Sequence, residues 1–463
     1  MTFSAILKKA GHQCDVLIDD LEKDIVERAL KINPDIITFS ITTGEYFWMS
    51  EIGKKIRKKF KKQIICGGVH ATFYPELINE DYLDAVCIGE GEEAILDLVN
   101  ALEKRKDITK IKNLWVKNKS KIYKNEVRPL ISDLDLIPFP DRSIYNKYSI
   151  LEKNEITSSK ILIMTSRGCP FQCSFCFNKV YYNKIYKGKG KSFRRRSISN
   201  VIEEIKEIKK ENPNMNFINF LDDMFTIPHR TWLNNFLKRY KREINIPFMC
   251  QSRADLIDED IVKKLKDANC FTIKIGIESG NENIRNNFLN KGITNQQIIK
   301  AANLIKKYGI KLETFNMLGI PRETLGVALE TFELNKKIGP TYAQCSLFMP
   351  YPGTETFKYA IENDYLDENF DFKNISHSFF IRTPIKIKNK REISNLQKIF
   401  SLSVYLHLPT KLVKFLIKIP FTKLYRLLLG ISLIIGMSKI YRTNLLNLFK
   451  VSVLYLSKYV FKT

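Results

Sequence analysis

At 463 residues, with 44% hydrophobic and 27% charged residues, the chain exceeds one small module and has the composition of a folded protein, which excludes wholesale disorder. Its 75 Lys and Arg against 50 Asp and Glu leave a formal charge of +25. Such a surplus points to an anionic substrate, a nucleic acid or a membrane surface, or else to a Lys-rich composition spread over solvated faces.

Residues 1–105 alternate short apolar runs with helical patterns. Strands are predicted at Cys14–Ile18, Ile36–Ser40, Gln63–Cys66 and Ala85–Ile88, and helices at Ser4–Ala10, Leu21–Ile32, Glu45–Phe60 and Glu92–Leu102. That order predicts an α/β unit with a Rossmann or flavodoxin-like parallel sheet. It opens on a helix, so the sheet is expected to lack its usual first strand. Residues 106–150 hold a basic hairpin, within Lys104–Asn125, and a linker in which Pro129, Pro138 and Pro140 disfavour helix and central strand.

Over residues 151–365 six strands are predicted: Lys160–Thr165, Asn216–Leu221, Pro247–Gln251, Thr272–Ile277, Lys311–Met317 and Ala343–Met349. Helices at Ser199–Lys210, Arg230–Arg242, Asp258–Ala268, Asn295–Tyr308 and Arg322–Ile338 separate them. Six βα units predict a complete or partial (β/α)6 barrel, whose chemistry gathers where the strands end. Residues 366–463 read as a helical region; from Ile393 onward there is no Asp or Glu, while eleven Lys and Arg occur. Its longest uncharged stretches, Ile399–Thr410 and Leu427–Ser438, fall short of the about 20 residues that a spanning helix needs. A packed helical cap, or a basic amphipathic surface in peripheral contact with the inner face of a membrane, is expected instead.

Nine cysteines stand in a chain whose first thirteen residues hold neither an apolar core nor a cleavage site, so a reducing, cytoplasmic setting is expected. Only three cluster. After the first barrel strand comes Ser166–Asn178 (SRGCPFQCSFCFN), with Cys169, Cys173 and Cys176 separated by three and by two residues. Three thiolates in one tight loop select zinc, copper(I) or an iron–sulfur cluster. Structural zinc wants a fourth ligand, and no Cys or His lies within fifty residues on either side, the nearest being His229 and Cys87. A [4Fe-4S] cluster normally takes four cysteines; with three, one iron stays open. In a radical enzyme the ligand suited to it is the amino and carboxylate end of S-adenosylmethionine, whose sulfonium bond an electron from the cluster then cleaves. The motif, its position and the six βα units resemble the radical S-adenosylmethionine superfamily.

The strand ends are polar, as such a barrel requires. S-adenosylmethionine needs an acceptor for its ribose hydroxyls, which Glu278 suits, and a cation for its carboxylate, which Arg253 suits. The resemblance adds Asp222 and Asp223 after the second strand, Ser279 after the fourth and Gly319 after the fifth as cofactor contacts. The loop Lys179–Arg196 has eight basic residues and no acid, ending in Arg194, Arg195 and Arg196; it reads as an anion clamp or as a solvated lead-in to a helix.

In the first domain, Cys66–Pro75 (CGGVHATFYP) and Asp84–Glu92 (DAVCIGEGE) resemble the cobalamin-binding domain that precedes the barrel in one branch of the superfamily. The resemblance implies cobalamin contacts at Gly67, Gly68, His70, Gly89 and Gly91, although no Asp-x-His-x-x-Gly segment is present. For His70 a hydrogen-bonded structural role is the stronger reading. The expected activity is radical methylation of an unactivated carbon, or ring closure, on a small or lipid-like substrate, fed by an external donor of flavodoxin or ferredoxin type. A transfer-RNA methylthiotransferase would instead carry three cysteines for a second cluster in its first domain; Cys14, Cys66 and Cys87 sit on strand patterns. A degenerate, cluster-holding scaffold is the non-enzymatic alternative. The basic hairpin, the loop after the cysteines and the tail together outweigh the whole surplus of charge, which favours an anionic substrate or membrane over nucleic acid.

Overall fold

The computed structural model describes residues 1–148, 160–227 and 230–443. Residues 149–159 around the start of the predicted barrel domain, residues 228–229 and residues 444–463 of the tail lie outside that set.

The first sheet is mixed. Strands β1 (Ile36–Ser40), β2 (Gln63–Gly67) and β3 (Ala85–Cys87) pair in parallel in that order, with Ser40 opposite Gly67 and Cys66 opposite Val86. The basic hairpin, β4 (Leu114–Asn118) and β5 (Lys121–Lys124), then adds antiparallel to the free edge of β3. Rather than standing apart, it completes the sheet, because Leu114 and Val116 point inward and pack with Ala94, Ile95 and Leu98 of helix Glu92–Glu103. The strand predicted at Cys14–Ile18 does not form. That segment is held by a side chain instead: the Tyr148 hydroxyl accepts from the Ile18 N–H (3.0 Å) and donates to Glu22. The helix predicted from Leu21 starts at Ile25, where the Asp24 carboxylate accepts the N–H groups of Val26 and Glu27 (both 2.9 Å).

The second sheet is a half-barrel. After β6 (Lys160–Ile163), a two-residue ribbon of β7 (Ser166–Arg167) and β8 (Arg194–Arg195) brackets the loop that holds the three clustered cysteines. Then follow β9 (Phe217–Phe220), β10 (Phe248–Ser252), β11 (Cys270–Glu278), β12 (Lys311–Leu318) and β13 (Tyr342–Leu347). With β6 these make six parallel strands in chain order, leaving β6 and β13 as open edges. Five helices cover the outside, and Ser197, Asp258, Thr294 and Thr324 cap four of them by accepting a backbone N–H in the first turn. Outward side chains such as Ile163, Phe220, Cys250, Ile275 and Leu312 form the main core with those helices. Strand alternation therefore turns Leu162, Asn219, Lys274 and Glu278 to the concave side.

The tail caps this half-barrel. Helix Lys390–Tyr405 packs Ile393, Leu396, Phe400 and Val404 with Leu318 of β12 and Ala343 and Cys345 of β13. Helix Thr422–Ile440 reaches the amino-terminal end of the strands, where Ile440 packs with Phe217, Met249 and Tyr342 and its carbonyl accepts from the Thr272 hydroxyl (2.9 Å). Among the described residues no helix is long and apolar enough to cross a membrane.

Gly436 lets that helix lie flush, since a Cβ there would fall 2.2 Å from the Tyr342 ring. Gly436→Ala is expected to lower stability by about 1–3 kcal/mol through overpacking. Gly326→Ala, whose added methyl would meet only the Thr324 hydroxyl at 3.7 Å, should leave the melting temperature unchanged or raise it. Thermal unfolding of both variants checks the pair.

Candidate active site

β6 ends at Ile163, and Gly168 turns the chain into the cysteine loop. Its φ is +88°, and a Cβ there would lie 2.0 Å from the Ser192 carbonyl oxygen, so only glycine serves. Asp222, at the end of β9, fixes the entry. Fully buried, it accepts the Thr165 N–H (3.1 Å), the Thr165 hydroxyl (2.7 Å) and the Ser166 hydroxyl. The far side is tied to the turn after β11: the Ser174 hydroxyl donates to the Phe288 carbonyl (2.6 Å), its N–H to the Leu289 carbonyl (3.0 Å), and the Asn290 amide to the Gln172 carbonyl (2.7 Å).

The loop brings the three thiols into one low-dielectric region. Burial pushes Cys169 up to about 11 and Cys176 up to about 12, and the charges of Asp223 and of the neighbouring thiols act in the same direction. Such a set becomes thiolate only against a cation, which is the donor chemistry of a metal centre. Among the described residues no three Cys, His, Asp or Glu side chains converge on a single-ion site. Thiols that each bind a different iron need not converge on one point, so the loop fits a cluster better than zinc.

The other predicted contacts fare unequally. Asp223 opens onto the concave face; its crowded surroundings push its carboxyl up, and the Asn178 side chain partly offsets that. Asp222, by contrast, is spent on Thr165 and Ser166 and positions the loop. Arg253 is 5% exposed, pairs with both oxygens of Asp255 (3.0 and 3.1 Å) and donates to the Lys291 carbonyl (2.7 Å). Its guanidinium lies 3.7 Å from the centroid of Phe171 in the cysteine loop, so it braces that loop. Glu278 ends β11 at φ +66° and accepts from the Lys291 ammonium (2.9 Å). Ser279 is engaged within the protein: it is fully buried, its hydroxyl accepts the Asn281 N–H and its carbonyl accepts from Arg285. Gly319, at φ +80°, donates its N–H to Glu323 (2.5 Å), a buried carboxylate that also holds Ile320. Sequence reasoning missed Asn178, Lys291 and Glu323.

At the carboxyl edge of the first sheet, three of the four predicted glycines allow close packing of the chain on itself. A Cβ at Gly68 would lie 2.7 Å from the Ile41 backbone, one at Gly89 2.0 Å from the Tyr186 hydroxyl, and one at Gly91 2.7 Å from the Phe3 ring. His70 sits in the core, as the stronger reading of the sequence expects: fully buried, it packs against Tyr46 and Tyr74, its Nδ1 lies 3.3 Å from the Thr43 hydroxyl, and burial lowers it to about 4. Gly67 meets only the Cys87 Cβ at 3.5 Å, and Phe47 and Val69 are exposed on the segments that follow β1 and β2. That open apolar edge fits a large flat cofactor.

The arginines that bracket the cysteines are engaged within the protein. Arg194, 4% exposed, forks onto Glu90 (2.8 and 3.0 Å); Arg167 bridges Glu90 (3.0 Å) and Glu92 (2.5 Å); Arg196 pairs with Glu204. Arg195 donates to the Phe225 carbonyl (2.9 Å) beneath Trp232. Burial alone would raise the Glu90 carboxyl, but Arg194, Arg167 and the Ile131 N–H more than offset it and hold it below its usual range. Burial lifts Glu323 to about 8 against its two N–H donors.

The two carboxylates drive stability in opposite directions. Glu90 binds protons less readily when folded, so its contribution is present above about pH 4.5 and lost as pH falls through the folded value. Glu323 binds them more readily, so its contribution is complete below about 4.5 and declines as pH rises to about 8. Glu90→Gln is expected to cost about 3 kcal/mol at neutral pH, because it strands the buried Arg194 and takes from Arg167 one of its two carboxylate partners. Glu323→Gln keeps an acceptor for both N–H groups and should flatten the decline between pH 4.5 and 8. Melting temperatures across pH measure both.

Residues 163–334 match the Radical SAM superfamily and residues 1–99 the B12 binding domain family. An uncharacterized methyltransferase of Pyrococcus horikoshii is 34% identical over 361 residues, covering 76% of this chain and 75% of the relative. The anaerobic magnesium-protoporphyrin IX monomethyl ester cyclase of Rubrivivax gelatinosus is 26% identical, covering 87% and 73%. The solved structure of the cobalamin-dependent radical enzyme OxsB with aqua-cobalamin and S-adenosylmethionine bound shares the fold at a TM-score of 0.66 and 19% identity, over 99% of this chain and 76% of that one. The chain belongs to the cobalamin-dependent branch of the radical S-adenosylmethionine superfamily, an enzyme family whose cofactors are a [4Fe-4S] cluster, S-adenosylmethionine and cobalamin.

Proposed function

We propose that the protein methylates an unactivated carbon of an amphiphilic, lipid-like substrate. The observation that carries methylation is the relative named a methyltransferase, 34% identical across three quarters of both chains. Cys169, Cys173 and Cys176 would hold the cluster; Asp223, Asn178, Glu278 and Lys291 would line the S-adenosylmethionine mouth; the edge at Gly67, Phe47 and Val69 would receive cobalamin. When bound, these groups supply a one-electron cleavage of S-adenosylmethionine and a methyl carrier. The chain's own residues hold the loop and exclude water: Asp222 and Arg253 fix it, while Phe73, Phe177 and Tyr351 stack across the junction of the two domains (4.5 and 5.0 Å).

The tail supports the lipid-like substrate. Leu412, Phe415, Phe421, Leu424 and Leu427 are exposed on helices Thr410–Leu416 and Thr422–Ile440 and the turn between them, interleaved with Lys411, Lys414, Lys418 and Lys423 and no acid. An apolar face ringed by lysines suits an anionic membrane surface.

The test is anaerobic reconstitution with cobalamin, a flavodoxin donor, methyl-labelled S-adenosylmethionine and a total-lipid extract. Formation of 5′-deoxyadenosine together with label in the lipid fraction is the expected result. Deoxyadenosine with no transferred label points to cyclisation, and its absence with the triplet intact would sink the enzymatic reading. Cosedimentation with phosphatidylglycerol vesicles but not with phosphatidylcholine vesicles is expected, and should be lost when the four lysines become Glu; equal binding to both counts against the membrane face.

A further inference from the structure

The concave side of the half-barrel carries a polar layer that the cofactor mouth does not use. In the register of the parallel strands Gln251 of β10 stands beside Lys274 of β11, and Lys274 beside Glu313 of β12. All three turn inward, because their neighbours along the strands, Cys250, Ile275 and Leu312, pack outward against the helices. Two residues of strand further on, roughly 7 Å, lies Gly276. A Cβ there would fall 2.4 Å from the Glu278 carboxylate, so the Glu278–Lys291 pair of the mouth hangs directly over it. Below the polar layer Phe217, Met249 and Ile440 close the barrel, which makes the layer a floor.

This floor is balanced in charge and short of hydrogen bonds. Glu313 is 2% exposed, and its Oε2 has no hydrogen-bond partner among the described residues. The Lys274 ammonium stands 3.7 Å from that oxygen, beyond hydrogen-bond reach. On the same concave face the side-chain oxygen of Asn219, a residue 3% exposed, is likewise without a partner. Buried polar groups are normally satisfied, and both of these oxygens are acceptors, so the floor calls for a donor. One cation and one anion offset each other, and neither an oxyanion nor an ammonium ion gains there. A hydroxyl does gain, since a single oxygen can donate to Glu313 and accept from Lys274. Burial lifts the Glu313 carboxyl to about 7 against the pull of Lys274, and a hydroxyl suits both of its forms, donating to the carboxylate and accepting from the acid. Toward β6 the floor gives onto an apolar wall: Leu162 and Leu221 are 51% and 36% exposed and line a cavity of about 1290 Å³ at the open edge.

We propose that this floor recognises an uncharged, hydroxylated head of the substrate, a polyol, with one hydroxyl bridging Lys274 and Glu313, others reaching Gln251 and Asn219, and the apolar chain leaving past Leu162 and Leu221. The inference rests on the reading above that the substrate is amphiphilic, and it adds the chemistry of the head and its seat.

Titration calorimetry of the reconstituted holoenzyme with 1-O-octylglycerol, its dimethyl ether and octyl phosphate tests it. The diol should bind at least tenfold more tightly than either of the others. Replacing the pair together, Lys274→Met with Glu313→Leu, leaves no buried charge unpaired and should weaken the diol at least fivefold without changing the ether. Gln251→Leu, at a half-buried position, should weaken the diol too and serves if the double variant does not fold. A diol that binds no more tightly than the ether or the phosphate overturns the hydroxylated head, and undiminished diol binding in the folded variants overturns its seat. Release of 5′-deoxyadenosine and transfer of label report only on the reading above, so either can fail alone.

Discussion

Everything in this molecule turns on one carboxylate. Glu90 sits in the loop after β3, where the first sheet ends, and it receives Arg167 and Arg194, the residues at the mouth and exit of the cysteine loop. The same loop that carries Gly89 and Gly91 thereby grips the ribbon that carries the thiols. Buried ion pairs of this kind are weak evidence for net stability, since an apolar replacement of equal shape can do as well. What they confer is geometry: two guanidinium forks and one carboxylate admit few arrangements, so two domains that could slide are set in register.

That constraint explains several features around it. Tyr186, reached only after the cysteine loop, inserts over Gly89, and its hydroxyl accepts the Glu90 N–H (2.8 Å). Asp222 and Arg253 spend their charge inside the protein because a loop bearing three thiols must be stiff before it binds a metal. Glu278 and Lys291 form the polar pair left facing the concave side of the barrel. The strand ends thus divide into groups that hold the loop and groups free to meet a ligand, and charge alone does not distinguish them.

The sequence made the barrel legible because its strands alternate with amphipathic helices of ordinary length, four of which open on a Ser, Thr or Asp cap. The cysteine triplet was equally plain, being a local spacing. Harder to read were residues whose role depends on a distant partner. Nothing near Arg194 shows that Glu90 awaits it, so three arginines in a row read equally as an anion clamp or a solvated lead-in, and neither reading offers the internal ion pair. His70 and Gly91 lie in a motif, yet the aromatic stack around the one and Phe3 against the other come from segments far away. Cys14–Ile18 alternates as a strand does, but no neighbouring strand is offered to it, and Tyr148 takes it instead.

The unclosed barrel carries a hazard as well as an entrance. An edge strand with free carbonyls and apolar side chains is a template for pairing with any extended chain, and Leu162 of β6 and Met164 just past it are both exposed. Arg142 donates to the Leu162 carbonyl (3.2 Å) and Arg196 to the Met164 carbonyl (3.0 Å), so two of the acceptors that a foreign strand would seek are already taken. At this edge, therefore, two arginines do the work that a covering strand would otherwise do.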